Sequence, residues 1–194
     1  MIMSVDQGFS NYAYTLWDGR KYIKSDLIQT RKETGGRVST DMIRRHEIIS
    51  SGLSQVMKDN RIILLIGEMP GFGAQSSSAA VAMTMASAIT LTLCLEYNIP
   101  TIWHTPRDIK KCFTGNPNAS KKDMMNEACK RQGWPITFKK VKDQSTIGYR
   151  KDATYHVDEK TLPANKFEHI ADSIGAYYTA RYYDDIIKRR EKYE

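Results

Sequence analysis

The most hydrophobic short run of the chain, RIILLIGE, ends in an acidic residue, and this feature constrains the fold more than any other. The segment from Arg61 to Gly67 is dense in Ile and Leu without polar alternation, which predicts a central strand covered on both faces. Glu68 then stands at the end of that strand, where a carboxylate is costly to bury unpaired. The pattern predicts an α/β protein with an acidic group at a strand end.

A second acidic residue closes another predicted strand. The first residues, MIMSVD, are typical of a strand with Asp6 at its exit, and two more strands follow around the Asp18-Gly19 turn, a strong hairpin signal. Because βαβ units come after this antiparallel region, we expect a mixed five-stranded sheet with helices on both faces.

The helices are predicted from apolar spacing and capping residues. Thr105-Pro106 and Ser120 are typical helix starts, and Gly133 is a typical stop. The predicted helices cover 39–58, 79–95, the segment from Thr105, the segment from Ser120 to about 132, and a last helix from near Asn165. Residues 136–162 are polar and basic and predict a β-hairpin or an irregular excursion. We expect one domain, 1–194.

Composition narrows the class of protein. The 194 residues suffice for one sizeable α/β core, and a net charge of +7 favours a polyanionic partner, either nucleic acid or an acidic membrane. Three widely spaced cysteines without a CxxC pair indicate neither a disulfide framework nor a zinc knuckle. The apolar stretch 79–95 is short and interrupted by Thr and Ser, so we expect no membrane span. No signal peptide is visible, and we expect a cytoplasmic protein.

The last predicted helix carries a further pair of candidate ligands. His169 and Asp172 are three residues apart in FEHIADSIGAYY, on one side of the helix. Taken singly, each is ordinary: Asp6 could form an Asx-turn, and His169 and Asp172 could be plain helix residues. Together with Asp6 and Glu68 they predict a divalent-metal site for phosphodiester chemistry. Glu168 points about 100° away around the helix and is the alternative to His169.

The order of these motifs resembles the RuvC-type Holliday junction resolvases, which have the RNase H-like fold. The resemblance rests on strand-Asp6-x-Gly8, strand-Glu68, the segment HTPRDIKKCFTGNPNASKKDMM with Lys121 in its small-residue loop, and the terminal HIADSIGAYY. It covers roughly residues 1–133 and 165–183. It implies that Lys121 contacts the scissile phosphate at a helix N-terminus, that Mg²⁺ or Mn²⁺ is used, with two ions per site, and that the protein is a homodimer acting on branched DNA.

Two departures from that family indicate a divergent branch, for which a phage or viral origin would be suitable. Gln7 stands where the family usually has Pro after the first catalytic Asp. Residues 134–164 also exceed the short link expected there.

The candidate DNA contacts follow from charge and aromatic content. Phe72, in a Gly/Pro loop after Glu68, is a candidate for stacking on an unpaired base at a junction. Basic residues interleaved with Tyr149 and Tyr155 in 136–160 suit a DNA-gripping hairpin. The candidate phosphate contacts are Arg44, Arg45, Arg107, Lys110, Lys111 and Lys122, each of which could instead be part of a plain charged surface.

Three functions are compatible with the sequence. The first is a metal-dependent endonuclease that cuts four-way junctions and other branched DNA. The second is a non-catalytic module that binds branched DNA. The third is an actin-like ATPase, since DQGFSN also resembles a phosphate-binding turn, but no second DxG turn and no room for a second lobe are seen.

Overall fold

The computed structural model describes residues 1–69, 77–138 and 153–191. The first part of the chain forms the main sheet and the two helices that cover one of its faces. Its elements are β1 (Ile2–Gln7), β2 (Asn11–Asp18), β3 (Lys21–Gln29), α1 (Val38–Asn60), β4 (Leu64–Glu68), α2 (Ser77–Glu96) and β5 (Thr101–His104).

The five strands form one mixed sheet in the order β3-β2-β1-β4-β5. The pairs β1–β2 and β2–β3 are antiparallel, and the pairs β1–β4 and β4–β5 are parallel. The predicted hairpin is confirmed: Asp18 pairs with Lys21, and Gly19 adopts a φ of 54° between them, in the left-handed region that glycine tolerates. The mixed five-stranded sheet expected from the sequence is therefore confirmed.

Two hydrophobic cores lie on opposite faces of the sheet, because successive strand residues point to opposite sides. On β4, Leu65 packs into the core that holds Ile49 and Leu53 of α1. Its neighbour Ile66 packs into the other core, which holds Phe167 and Ile170. The run 62–66 is therefore apolar on both sides, as predicted, although β4 itself begins only at Leu64 and Ile63 is 68% exposed.

Helices α3 (Pro106–Thr114) and α4 (Lys121–Gln132) follow β5, and both begin at the predicted caps. The Thr105 side chain accepts a hydrogen bond from the Asp108 backbone N–H. Ser120 and Asp123 form a capping box, in which each side chain accepts from the other's backbone N–H. These caps fix the start of α4, so Lys121 occupies its first turn.

The segment predicted as a hairpin or irregular excursion forms a three-stranded antiparallel sheet in its described part. Its strands are β6 (Ile136–Phe138), β7 (Ala153–Val157) and β8 (Lys160–Pro163), in the order β6-β7-β8. Tyr155 and Val157 are buried in the α5-side core, whereas Thr161 is exposed. The small sheet is thus docked on the domain by one apolar face.

The last helix, α5 (Ala164–Glu191), starts directly after β8 and crosses the main sheet. Tyr177 stacks on Trp17 of β2, with ring centroids 3.8 Å apart. Ser173 and Thr15 share a buried hydrogen bond of 2.7 Å. These contacts anchor α5 on the sheet and so fix the position of its first turns. Among the described helices, none combines the length and hydrophobicity that crossing a membrane requires.

Candidate active site

The strand ends bring Asp6 and Glu68 to the same edge of the main sheet. Parallel strands β1 and β4 are adjacent, and Val5 is in register with Gly67, so Asp6 and Glu68 follow on neighbouring strands about 5 Å apart. Alternation places both side chains on the face that α5 covers. Both carboxylates are partly buried, in keeping with the expectation that they lie together at this edge.

Helix α5 adds the remaining polar groups. His169 Nδ1 lies 2.6 Å from Asp6 Oδ2, a hydrogen bond between partly buried side chains. Gly8 lies beside this contact, and a Cβ there would collide with the Asn11 carbonyl oxygen, whereas His169 Cε1 at 3.4 Å would be close to ordinary contact distance. His169 of α5 thus faces Asp6 of β1.

Glu168 also reaches the site, contrary to the expectation that it points away. One carboxylate oxygen lies 3.9 Å from His169 Nε2 and accepts a 2.9 Å hydrogen bond from Lys121 Nζ. The 100° offset around the helix is too small to separate a long Glu side chain from its neighbour. We call the group formed by Asp6, Glu68, Glu168, His169 and Asp172 the carboxylate site.

The electrostatics of the carboxylate site are those of crowded, partly desolvated acids. Burial, together with the charge of Asp6, raises the pKa of Glu68 to about 7, while Lys110 acts in the opposite direction. Burial raises the pKa of Asp172 well above its usual value, and the charges of Asp6, Glu68 and Glu168 add to the effect. The neighbouring acids thus make ionisation of Glu68 and Asp172 more costly.

His169 responds to the same negative field. Burial lowers its pKa, but the hydrogen bond and charge of Asp6, with the charge of Glu168, outweigh burial and raise it. The site therefore attracts positive charge, from a proton on imidazole or from a cation.

The donor chemistry fits a hard divalent cation, since carboxylate oxygens that repel one another are stabilised by a shared positive charge. The described parts of the chain nevertheless contain no group of three or more His, Cys, Asp or Glu side chains gathered around one point that could hold a metal. Asp6 is instead paired with His169. The predicted ligands are still Asp6, Glu68, His169 and Asp172, and Glu168 is a fifth candidate.

Gln7, which replaces the usual Pro, points to the opposite face of the sheet. Its side-chain oxygen accepts a 3.0 Å hydrogen bond from Ser87 of α2. Its Nε2 is buried and, among the described residues, has no hydrogen-bond partner. A Cβ at Gly67 would meet Trp103 at 2.8 Å and Gln7 Nε2 at 3.0 Å. The residue before Glu68 is therefore restricted to glycine by this packing.

The structure separates the predicted DNA contacts into two groups. Arg107, Lys111 and Lys122 are exposed, and Lys110 is partly exposed. Arg45, by contrast, is buried: its guanidinium donates to Thr30 Oγ1, the Phe9 carbonyl and Ser10 Oγ. We therefore leave Arg45 out of the proposed DNA surface. Sequence spacing could not distinguish it from a solvated arginine.

Arg44 is also held by ion pairs within the chain. Arg44 pairs with Asp41 at 2.7 Å and with Glu33 at 3.1 Å, so its charge is already compensated within the chain. Phe72 and most of the basic segment after Phe138 lie outside the described residues.

The architecture defines the class of protein: an RNase H-like fold with carboxylates at the carboxyl ends of two adjacent strands, faced by a C-terminal helix. No known family model matches the chain. Over 128 residues it is 30% identical to the crossover junction endodeoxyribonuclease RuvC of Pseudothermotoga lettingae. The matched region covers 64% of this chain and 75% of that protein. The chain belongs to the RuvC family of crossover junction endodeoxyribonucleases.

Solved structures support the same fold. Thermus thermophilus RuvC in complex with Holliday junction substrate matches with a TM-score of 0.63 at 15% identity, covering 95% of this chain and 94% of that one. The yeast mitochondrial Holliday junction resolvase Ydc2 matches with a TM-score of 0.50 at 13% identity, covering 97% and 83% of the two chains. At these identities the likeness concerns the fold alone.

Proposed function

We propose that this protein is an endonuclease that resolves four-way DNA junctions by hydrolysing phosphodiesters. The observation that carries the proposal is the meeting of Asp6 and Glu68 with His169 of α5 at one sheet edge, in a chain of the RuvC family. The expected products carry 5′-phosphate and 3′-hydroxyl ends. Other branched DNA belongs to the proposed substrate range.

Family membership implies a divalent metal cofactor, and we propose Mg²⁺, with Mn²⁺ as a substitute and two ions per site. Asp6, Glu68, His169 and Asp172 are the proposed ligands, and Glu168 is the alternative to His169. When bound, such a pair of ions activates the attacking water and stabilises the leaving 3′-oxygen. The chain itself holds the carboxylates close together, although their negative charges repel one another.

Lys121 is the proposed contact to the scissile phosphate. It lies in the first turn of α4, where backbone N–H groups favour an anion, and its Nζ pairs with Glu168 at 2.9 Å. A phosphate entering the site competes for this ammonium group. The exposed side chains of Arg107, Lys111 and Lys122, with partly exposed Lys110, supply sequence-independent affinity.

The proposed homodimer would use α2. Residues 81, 84, 88, 91 and 95 are exposed at helical spacing, and Val81, Leu91 and Leu95 are 49%, 42% and 79% exposed. An uncharged exposed face of this kind suits a second copy, and two copies supply the two symmetric nicks of resolution.

Leu91→Glu should shift sedimentation from dimer to monomer, whereas Ile43→Glu on α1 should not.

The test of the function is a labelled four-way junction incubated with Mg²⁺ or Mn²⁺, with duplex, flap and three-way DNA as controls. We expect paired nicks in the junction, and we expect Asp6→Asn to bind the junction without cutting it. Binding without cutting by the wild type would support the non-catalytic module instead. ATP hydrolysis without nicks would support the actin-like alternative.

A further inference from the structure

A cavity of about 530 Å³ opens between α3 and the C-terminal half of α5, and no residue of the carboxylate site lines it. It is lined by Lys111, Cys112, Gly115, Tyr182 and Tyr183. Lys111 is already among the proposed phosphate contacts, but the cavity and its two tyrosines have no role in the function proposed above. We call it the α3–α5 cavity.

Two tyrosines give the cavity an aromatic wall. Tyr182 is 51% exposed and Tyr183 is 40% exposed, and their rings meet edge to face with centroids 5.7 Å apart. Two adjoining exposed rings beside a cavity form an aromatic patch of the kind found in ligand-binding grooves. A nucleobase suits such a patch, because every base offers a face that stacks on an aromatic ring.

Tyr183 is held in place before any ligand arrives. Its ring stacks on His104 with centroids 5.7 Å apart and an interplanar angle of 20°, and Cys112 lines the same cavity. The His104 Nε2 atom is buried and lacks a hydrogen-bond partner within the described ranges. A ring that is already ordered loses little entropy on stacking.

The cavity adjoins the carboxylate site through β5. His104 is in register with Glu68 on adjacent parallel strands, so only one strand spacing and one stacked ring separate Glu68 from Tyr183. A DNA strand that leaves the carboxylate site across β5 therefore reaches the tyrosines within a short distance.

The charges around the cavity suit a nucleotide. Lys111 is exposed at its wall, and Lys110 next to it acts on Glu68. Asp108 also acts on this region, on His104 and Tyr183, but its carboxylate accepts a 2.7 Å hydrogen bond from the Thr105 hydroxyl and serves the α3 cap. A base against the rings with its phosphate toward Lys111 would match this arrangement.

We propose that the α3–α5 cavity binds a nucleobase of the strand next to the cut, stacked on Tyr182 with the Tyr183 ring at its side, and with Lys111 at the adjoining phosphate. The inference rests on the proposed function, because the ligand is the branched DNA of that function. It adds a subsite that positions the strand relative to the carboxylate site.

The first experiment measures junction affinity with cutting removed by Asp6→Asn. In that background Tyr182→Ala should weaken binding by about 10-fold, the loss expected for one stacked base, and Tyr182→Phe should stay within about twofold. An unchanged affinity for Tyr182→Ala, or equal losses for Ala and Phe, would overturn the proposal. A change in oligomeric state at unchanged DNA affinity would also overturn it and assign the rings to a subunit contact.

The second experiment locates the base. Four-way junctions carrying a single 2-aminopurine at successive positions beside the cut should show protein-dependent quenching at one position, lost with Tyr182→Ala and retained with Tyr182→Phe. Lys111→Ala should reduce the salt dependence of binding by about one phosphate contact, whereas the exposed Lys58→Ala on α1 should not. Quenching that persists in Tyr182→Ala would overturn the subsite.

The two proposals fail separately. If the wild type cuts junctions and Asp6→Asn does not, the proposed function stands whatever Tyr182 does. If Tyr182→Ala then leaves affinity and quenching unchanged, only the subsite is wrong. If the wild type neither binds nor cuts junctions, the proposed function fails and takes the subsite with it.

Discussion

Two clusters of charged side chains in this molecule differ in their balance of acids and bases. At the start of α1, Glu33 and Asp41 meet Arg44 and Arg45, so acids and bases are equal in number. The carboxylate site contains four acids. Lys121 acts on Asp172, and Lys110 acts on Glu68. The first cluster is balanced within the chain, whereas the second has more acids than bases and favours the uptake of a proton or a cation.

The pKa directions of the two clusters make the same point. The hydrogen bond from Arg44 lowers the pKa of Asp41, whereas burial and neighbouring acids raise the pKa of Glu68 to about 7. A lowered carboxyl pKa means that the fold favours the charge, and a raised one means that the fold opposes it. Acids held against their own repulsion are typical of functional sites.

The largest expected effect separates activity from stability. Glu68→Gln should lower the junction-cleavage rate by on the order of 10³-fold, because an oxygen ligand with its charge is lost. The same change should stabilise the metal-free protein above pH 7, since it removes a desolvated negative charge. Single-turnover cleavage and urea unfolding measure the two effects, and Asp41→Asn is the control that should leave the cleavage rate unchanged. Normal cleavage by Glu68→Gln would exclude Glu68 as a ligand.

The carboxylate site should also make the metal-free protein less stable as pH rises. The pKa of Glu68 is raised from its usual 4.5 to about 7, so its contribution is fully present below about 4.5 and is lost as pH rises through 7. One pKa unit corresponds to about 1.4 kcal/mol, which bounds the loss at roughly 3 kcal/mol.

His169 should act in the same direction, since its pKa is also raised. The free energy of unfolding, measured in chelator from pH 5 to pH 8, should fall more steeply for the wild type than for Glu68→Gln. Parallel curves for the two proteins would contradict the assigned environment of Glu68.

Breaking the α1 cluster should affect stability without touching catalysis. Arg45→Leu leaves the Phe9 carbonyl, Ser10 and Thr30 without the guanidinium that holds them, and should cost about 2 kcal/mol. Urea unfolding measures this loss. Junction affinity should not change at a temperature where the variant is folded, and a specific loss of affinity would return Arg45 to the DNA surface.

The smallest expected effect concerns the cap that positions Lys121. Ser120→Ala removes the capping box of α4 and should cost about 1 kcal/mol of stability. Ser120→Asn, which restores a cap, should recover it. Single-turnover cleavage should decrease slightly in Ser120→Ala and recover in Ser120→Asn. If cleavage falls equally with Ala and Asn, the serine hydroxyl itself rather than the helix start is important.

The features predicted correctly from sequence are those set by local chemistry. The hairpin at Asp18-Gly19 and the caps at Thr105 and Ser120 depend on residues within a few positions, and all three are found as expected. The mixed sheet followed from the order of strands and helices. The sequence predicted that two strand ends carry acidic groups; the structure places them side by side because β1 and β4 are adjacent and parallel.

The features that were missed depend on tertiary contacts. Arg45 looks like any arginine on a helix, and only the loop at Phe9 and Ser10 buries it. Glu168 lies close enough to His169 to reach the carboxylate site, and Lys121 from another helix pairs with it there. Tyr182 and Tyr183 gain their significance from α3 and His104, which are about 70 residues earlier in the chain. No local pattern carries this information.

The direct connection between β8 and α5 has a mechanical consequence. Pro163 is the last residue of the strand and Ala164 the first of the helix, so no linker absorbs relative motion between the small sheet and the helix that carries His169. Tyr155 stacks on Phe167 with centroids 4.4 Å apart, which clamps the two elements together. A load applied to the small sheet is therefore transmitted to α5 as a tilt or a twist, and the alignment of His169 with Asp6 changes with it.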